Sequence, residues 1–268
     1  MVDSPLRLVG RDVLFVHWPV PVEAVRGAVP APLTVDTLAG SAWLSVLAHE
    51  VSETTLASLP VSRPFVQVNF RTYVRFDGEP GVYFLSLDTG NRAAAIAGER
   101  LFGLPFVPAR GSVRRRDDGT VTLRCQRTAG GEPRARFDAR YRPAGEPRSD
   151  SETAGGETVS GEATVVDPDS TTGRLIERHR YFVPGGEASR LSRTVGRTGR
   201  LRGGSGVLVG EVTRDPWRLS PVDATVRTNT LFDAAGIDPP DTEPTVEYSP
   251  GYGSRVVGLE VVPSAEGD

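Results

Sequence analysis

A chain of 268 residues, 38% hydrophobic and 24% charged, has an ordinary globular composition and can bury a substantial core, which excludes wholesale disorder. Its net charge is -3, with arginines and acids interleaved, so neither nucleic acid nor an anionic membrane is an expected partner. All 31 residues counted as Lys+Arg are arginines, which leaves the N-terminal amine alone for imine chemistry and excludes the Gly-Lys of a P-loop, because a guanidinium with a pKa above ~12 cannot act as a nucleophile.

The opening stretch MVDSPLRLVGRDVLFVHWPV lacks a basic start and a long apolar run, and no segment approaches the roughly 18 apolar residues of a membrane span, so a cytoplasmic protein is expected. Within it, RDVLFVHWPV reads as a strand that ends in His17 and Trp18. PVEAVRGAVP has the spacing of a short amphipathic helix, with Val22, Val25, Ala28 and Val29 on one side. A turn-rich stretch then leads into the strand SAWLSVLAHEVS, which contains Trp43.

The segment FVQVNFRTYVRF has a period of two. Val66, Val68, Phe70, Thr72 and Val74 lie on one face, and Gln67, Asn69, Arg71, Tyr73 and Arg75 on the other. DGEPG turns this strand into VYFLSLD, so residues 65 to 88 are predicted to form an antiparallel hairpin. Asn91 is placed to cap a helix of small residues that ends near Gly103 and Pro105. Strands at about 110–116 and 120–127 follow, with Arg114, Arg115 and Arg116 beside a hairpin tip at Asp117-Asp118-Gly119. Cys125, the single cysteine, lies in an alternating strand and is expected to be a buried, inert thiol.

From about 144 to 170 the chain is rich in Gly, Ser, Thr, Glu and Pro and is expected to form a mobile loop within one domain spanning 1–268. STTGRLIERHRYFV predicts a Ser/Thr-capped helix running into a strand. Further strands are predicted at 189–196, 206–213, 222–228 and 254–262, with a short helix at NTLFDAAGI. Strands interrupted by a few short helices favour a mostly antiparallel, barrel-like α+β domain. The histidines His17, His49 and His179 lie far apart, so no metal site is expected, and no cofactor motif is present: GGSGVLVG matches neither a nucleophile elbow nor a dinucleotide fingerprint.

The segment AAIAGERLFGLPFVPAR resembles the one that carries the reactive lysine in acetoacetate decarboxylases. Ala97, Gly98, Glu99, Arg100, Gly103 and Pro105 fit that pattern with Glu and Arg exchanged, while Phe106 and Val107 stand at the two lysine places. The blocks VHWPVPVEAVRGAVPAPLTVDTLAGSAWLSV, VNFRTYVRFDGEPGVYFLSLD, LFGLPFVPAR, GEVTRDPWRLSP and YSPG resemble the uncharacterised YqjF-like family, which is similar in fold to the acetoacetate decarboxylases. The family commonly has histidines where this chain has Thr213 and Arg214. The resemblance implies an acetoacetate decarboxylase-like barrel around a small-molecule pocket. It implies that Phe106 and Val107 line that pocket, that imine decarboxylation is absent, and that a homo-oligomer forms.

The residues offer one leading site. Asn69, Arg71 and Tyr73, at i, i+2 and i+4, aim at one volume, and a guanidinium beside an amide and a phenol suits a carboxylate. Tyr73 and His17 are the candidate proton-transfer groups, and Asp88, Arg92, Glu211 and Trp217 are secondary candidates. Three readings stay open: a pocket for a carboxylate or carbonyl compound, an enzyme using acid-base chemistry in that pocket, or a structural protein with a filled interior.

Overall fold

The structure, a computed structural model, describes residues 6–56, 59–60, 62–128, 134–144, 163–184 and 206–263. In chain order the elements are β1 (Leu6–Val20), α1 (Val22–Arg26), β2 (Thr34–Val35), β3 (Ala42–Leu56), β4 (Leu59–Pro60), β5 (Phe65–Phe76), β6 (Glu79–Thr89), α2 (Arg92–Phe102), β7 (Phe106–Arg115), β8 (Val121–Arg127), β9 (Arg136–Pro143), β10 (Thr164–Val165), α3 (Thr171–Ile176), β11 (Arg180–Pro184), β12 (Gly206–Arg214), β13 (Arg218–Leu219), β14 (Val222–Asn229), α4 (Leu231–Ala234) and β15 (Thr245–Pro263). The described chain is mostly strand with a few short helices, the α+β class predicted from its periodicities.

One large sheet runs β14-β9-β8-β7-β6-β11-β12-β15-β1-β3-β5-β2, and β6 pairs with β5 as well as with β7 and β11. The pairings therefore lead from β5 through β3, β1, β15, β12, β11 and β6 back to β5, and the sheet is strongly curled. Only the β6–β7 and β6–β11 pairs are parallel among those given for the main sheet. The β5–β6 hairpin is tighter than its sequence reads: Asp77 and Gly78, both at positive φ, make the two-residue turn, and Glu79 already belongs to the strand.

The curl gives β5 two buried faces. Val66, Val68 and Phe70 pack outward against Leu123, Cys125 and Phe137 of the β7–β8–β9 extension. Tyr73 packs inward in a second cluster with Phe15, Trp43, Leu47, Val82 and Trp217. The alternating face of β5 that reads as polar is thus the inside of the curl. Cys125 is buried in the outer cluster, and burial pushes its thiol far above the usual range, so it is inert.

Several boundaries differ from expectation. β7 starts at Phe106, so the Gly103-Leu104-Pro105 turn feeds directly into a strand. β15 runs without interruption through Pro250 and Gly251. It does so because β1 and β15 touch: a Cβ on Gly251 would meet the Gly10 carbonyl oxygen at 2.5 Å, and one on Gly10 would meet the Tyr252 ring at 2.2 Å. Residues 145–162 of the expected loop and the strand predicted at 189–196 lie outside the described residues. Thr164 and Val165, within the expected loop, pair with Leu219 and Arg218.

Candidate functional site

Strand register brings the inner-face side chains into rows, because residues paired across strands share a face. His17 pairs with Ser45, Ser45 with Arg71, and Arg71 with Phe84, which spans four strands. A neighbouring row holds Phe15, Leu47, Asn69, Leu87 and Phe106. Glu247 pairs with Phe15 from the β15 side. Residues from five distant parts of the chain therefore meet on one surface.

Polar groups of the first row are linked to others on the same face. Tyr73 Oη and Ser45 Oγ are 2.8 Å apart, and Ser45 Oγ lies 2.5 Å from His17 Nδ1. His17 Nε2 faces Glu247 Oε2 at 3.4 Å, and Thr172 Oγ1 donates to Glu247 Oε1 at 2.8 Å. The His17 and Glu247 contact is not an ion pair. Burial, reinforced by the Arg71 charge, lowers the His17 pKa to about 3, so its imidazole is neutral at physiological pH. Burial raises Glu247 above the usual carboxylate range, against the opposing Thr172 hydrogen bond.

Arg71 is the feature that sets this surface apart. It is 7% exposed, and its Nε and Nη2 have no hydrogen-bond partner among the described residues. Buried guanidinium groups are ordinarily paired, since an uncompensated charge in a low-dielectric interior is costly. Its guanidinium carbon lies 5.7 Å from the centre of the Tyr73 ring. Arg178 lies 5.7 Å from the same ring and pairs with Asp36 at 2.7 Å. His17 Nε2 and Glu247 Oε2 are also buried without a hydrogen-bond partner.

A cover closes the inner face. Ser170 accepts a hydrogen bond from Gly173 N and so caps α3, whose Leu175 and Ile176 pack into the inner cluster. The Ile176 carbonyl accepts from Arg214 Nη2 at 2.7 Å and from Trp217 Nε1 at 3.2 Å. Arg214 also pairs with Glu177 at 2.8 Å and stacks 4.6 Å from the centre of the Trp217 ring. Burial draws the Arg214 pKa down, Glu177 opposes this, and the nearby charge of Arg71 adds to the lowering. Two arginines thus approach each other, and among the described residues only Arg214 has a carboxylate partner.

Of the residues singled out from sequence, the fold brings Arg71, Tyr73, His17 and Trp217 together. Asn69 shares the face but is half-buried and accepts a hydrogen bond from Gln67 Nε2 at 2.9 Å, so it is engaged away from Arg71. Phe106 lies in the Asn69 row, whereas Val107 pairs with Asp88 and shares the opposite face. Asp88 is turned to the outer side, where Arg127 Nε holds it at 2.5 Å. Arg92 is exposed at the start of α2. Glu211 pairs with Arg180 at 2.8 Å and lines an outer groove with Phe76, Glu79 and Phe182, where the one arginine is already neutralised by Glu79 and Glu211.

Sequence reasoning missed Ser45, Glu247, Arg178 and Arg214. Ser45 and Arg178 carry no motif. Glu247 sits in EPTVEYSPG, whose prolines and glycine read as a break in structure, and Arg214 was noted only as standing where a histidine is common. Among the described residues no group of three or more His, Cys, Asp or Glu side chains is arranged to hold a metal ion.

A curled, mostly antiparallel sheet with short helices closing over its inner face defines the acetoacetate decarboxylase-like fold. The chain superposes on the enduracididine biosynthesis enzyme MppR complexed with pyruvate with a TM-score of 0.60 at 13% identity, covering 98% of this chain and 92% of the other. It superposes on the acetoacetate decarboxylase of Legionella pneumophila subsp. pneumophila str. Philadelphia 1 with a TM-score of 0.57 at 12% identity, covering 96% and 88%. At these identities the likeness establishes the fold alone. Residues 9–253 match DUF2071, described as "Uncharacterized conserved protein", and the chain belongs to that family. It is 30% identical over 247 residues to the uncharacterized protein YqjF of Bacillus subtilis (strain 168), which covers 91% of this chain and 87% of that relative.

Proposed function

We propose that the inner face of the curled sheet binds a small organic acid, with its carboxylate on Arg71 and its apolar remainder among Phe15, Phe84 and Trp217. The observation that carries this reading is the buried Arg71 guanidinium, whose Nε and Nη2 have no hydrogen-bond partner among the described residues. A carboxylate can accept two parallel hydrogen bonds from such a fork and neutralise it. The complex of MppR with pyruvate makes a short 2-oxo acid the first compound to try. Chemistry at the site proceeds without an imine, because the sequence has no lysine and Phe106 stands on the inner face at one of the lysine places.

Thermal shift with pyruvate, 2-oxobutyrate, longer carboxylates and their methyl esters tests the reading. An acid at ~100 times its dissociation constant adds about 2.7 kcal/mol, which at ~2–4 °C per kcal/mol is a rise of roughly 5–10 °C. Acids should stabilise the protein, esters should not, and Arg71→Gln should abolish the effect. Arg71→Gln should also leave the ligand-free protein as stable as before or more so, because it removes an unpaired buried charge. Loss of ligand-free stability in Arg71→Gln, together with no response of the wild type to any acid, would return Arg71 to a structural role. Borohydride added with pyruvate should leave the mass of the protein unchanged at every internal position.

A further inference from the structure

We infer that Tyr73, Ser45, His17 and Glu247 form a proton relay that delivers a proton to the carbonyl oxygen of a 2-oxo acid held by Arg71, so that the site catalyses enolisation; this rests on the organic-acid site proposed above. The relay is defined by its contacts. Tyr73 Oη to Ser45 Oγ is 2.8 Å and Ser45 Oγ to His17 Nδ1 is 2.5 Å, both hydrogen bonds, whereas His17 Nε2 and Glu247 Oε2 stand 3.4 Å apart without one, so the last transfer requires the carboxyl to close on the imidazole. Tyr73, Ser45 and His17 are fully buried, so bulk water does not short-circuit the chain.

The alternative use of Ser, His and Glu is a nucleophilic triad. Ser45 does not fit it. Its hydroxyl is engaged on both sides, by Tyr73 and by His17, whereas the Tyr73 phenol, over whose ring the Arg71 guanidinium lies, has only the Ser45 contact at its own hydroxyl and so can still donate to a ligand. Ser45 is therefore a link and Tyr73 the terminus.

The proton inventory closes. With Glu247 protonated, His17 Nδ1–H donates to Ser45, Ser45 O–H donates to Tyr73, and Tyr73 O–H donates to the carbonyl oxygen of the acid. Transfer moves the Tyr73 proton to that oxygen. The Ser45 proton moves to Tyr73, the Nδ1 proton to Ser45, and the Glu247 proton to His17 Nε2. The C–H bond next to the carbonyl breaks, its electron pair becomes the C=C bond of the enol, and its proton passes to a water molecule that enters the site with the acid and then exchanges with solvent. The Glu247 carboxylate then regains a proton from solvent, to which its side chain is 18% exposed. His17 exchanges one tautomer for the other and never carries a charge, so its depressed basicity is no obstacle. The raised pKa of Glu247 is in the direction a proton donor requires.

Proton exchange in D2O tests this on the full chain, with pyruvate and 2-oxobutyrate as probes and loss of the signals next to the carbonyl followed by NMR. Wild type should exceed the buffer rate by about 100-fold or more, the usual scale of general acid catalysis. Tyr73→Phe, Ser45→Ala and Glu247→Gln should fall to near the buffer rate while keeping the thermal shift given by the acid. Ser45→Thr, which retains a hydroxyl, should restore exchange, and a merely structural Ser45 would not produce that split between binding and turnover. Binding by wild type without exchange, or exchange in Ser45→Ala equal to wild type, overturns the relay and leaves the binding site standing. Absence of both binding and exchange overturns both. Labelling of Ser45 by a fluorophosphonate would show a nucleophile and overturn the assignment of Ser45 as a link.

Discussion

His17 and His49 are fully buried, and burial lowers each to a pKa of about 3; at His17 the Arg71 charge adds to the shift, and at His49 the nearby Leu47 backbone opposes it. A base whose folded pKa is depressed contributes its full share of stability above its unfolded pKa of about 6.5. That share is lost as pH falls from 6.5 toward 3, because the unfolded chain binds the protons that the folded one refuses. At pH 5 each histidine should have removed about 2 kcal/mol relative to pH 8. Urea unfolding at the two pH values measures this loss, and His49→Gln should remove roughly half of it. A pH-independent unfolding midpoint over that range would show that both imidazoles become charged within the fold. The His49 ring is held by Tyr252, whose hydroxyl lies 3.1 Å from Nε2, so this histidine belongs to the packing, whereas His17 belongs to the proposed relay.

At the scale of the element, β5 serves two cores with alternate residues. Phe70 faces the outer cluster, where it packs edge-on against Phe232 with ring centres 5.2 Å apart, and Tyr73 faces the inner one. Phe70→Ala should cost ~3–5 kcal/mol in unfolding free energy yet leave any acid-induced thermal shift intact, since its side chain points away from Arg71. Tyr73→Phe should cost only about 1 kcal/mol, the net worth of one buried hydrogen bond. Chemical denaturation of both variants with and without an acid separates the two faces, and a lost ligand response in Phe70→Ala would contradict the division. α3 offers a complementary test. A Cβ on Gly173 would meet the Asp167 carbonyl oxygen at 2.0 Å, so Gly173→Ala should shift the helix and cost ~1–3 kcal/mol. Because the neighbouring Thr172 holds Glu247, the same variant should also disturb the inner face.

For the whole molecule, the return of the sheet on itself decides what the polar strand face means. On an open sheet Gln67, Asn69, Arg71 and Tyr73 would face solvent and need no partner. With β6 paired to both β5 and β11, the same face looks inward, and Arg71 becomes a buried cation. The curl also places the inner face beneath a cover built from α3, Arg214 and Trp217, which an acid entering the proposed site from that side would displace. Trp217 fluorescence should therefore respond to acid binding more strongly than that of Trp18, which packs against Phe232 in the outer cluster. Comparing Trp217→Phe with Trp18→Phe would measure this, and an equal response in both would argue against entry through the cover.

By itself the sequence determined the strand-dominated class, the β5–β6 hairpin, the helix capped at Asn91 and the absence of lysine chemistry. Each of these depends on short-range periodicity, turn residues or simple inventory. It also named Arg71, Tyr73, His17 and Trp217, because alternation and residue chemistry are local signals. It could not supply the connections between them. Ser45 and Glu247 become partners of His17 only through the β1–β3 and β1–β15 registers, and Arg178 reaches the cover from the α3–β11 connection and Arg214 from the end of β12. Val107 shows the same limit: it is turned to the outer face by the β6–β7 register, which is not written in its neighbours along the chain, whereas the Gln67 contact that diverts Asn69 is a local i, i+2 pair. Register and closure are long-range properties, set by how all the strands bury their apolar faces together, and so the tertiary structure alone decided which polar residues share one interior and which of them lack partners.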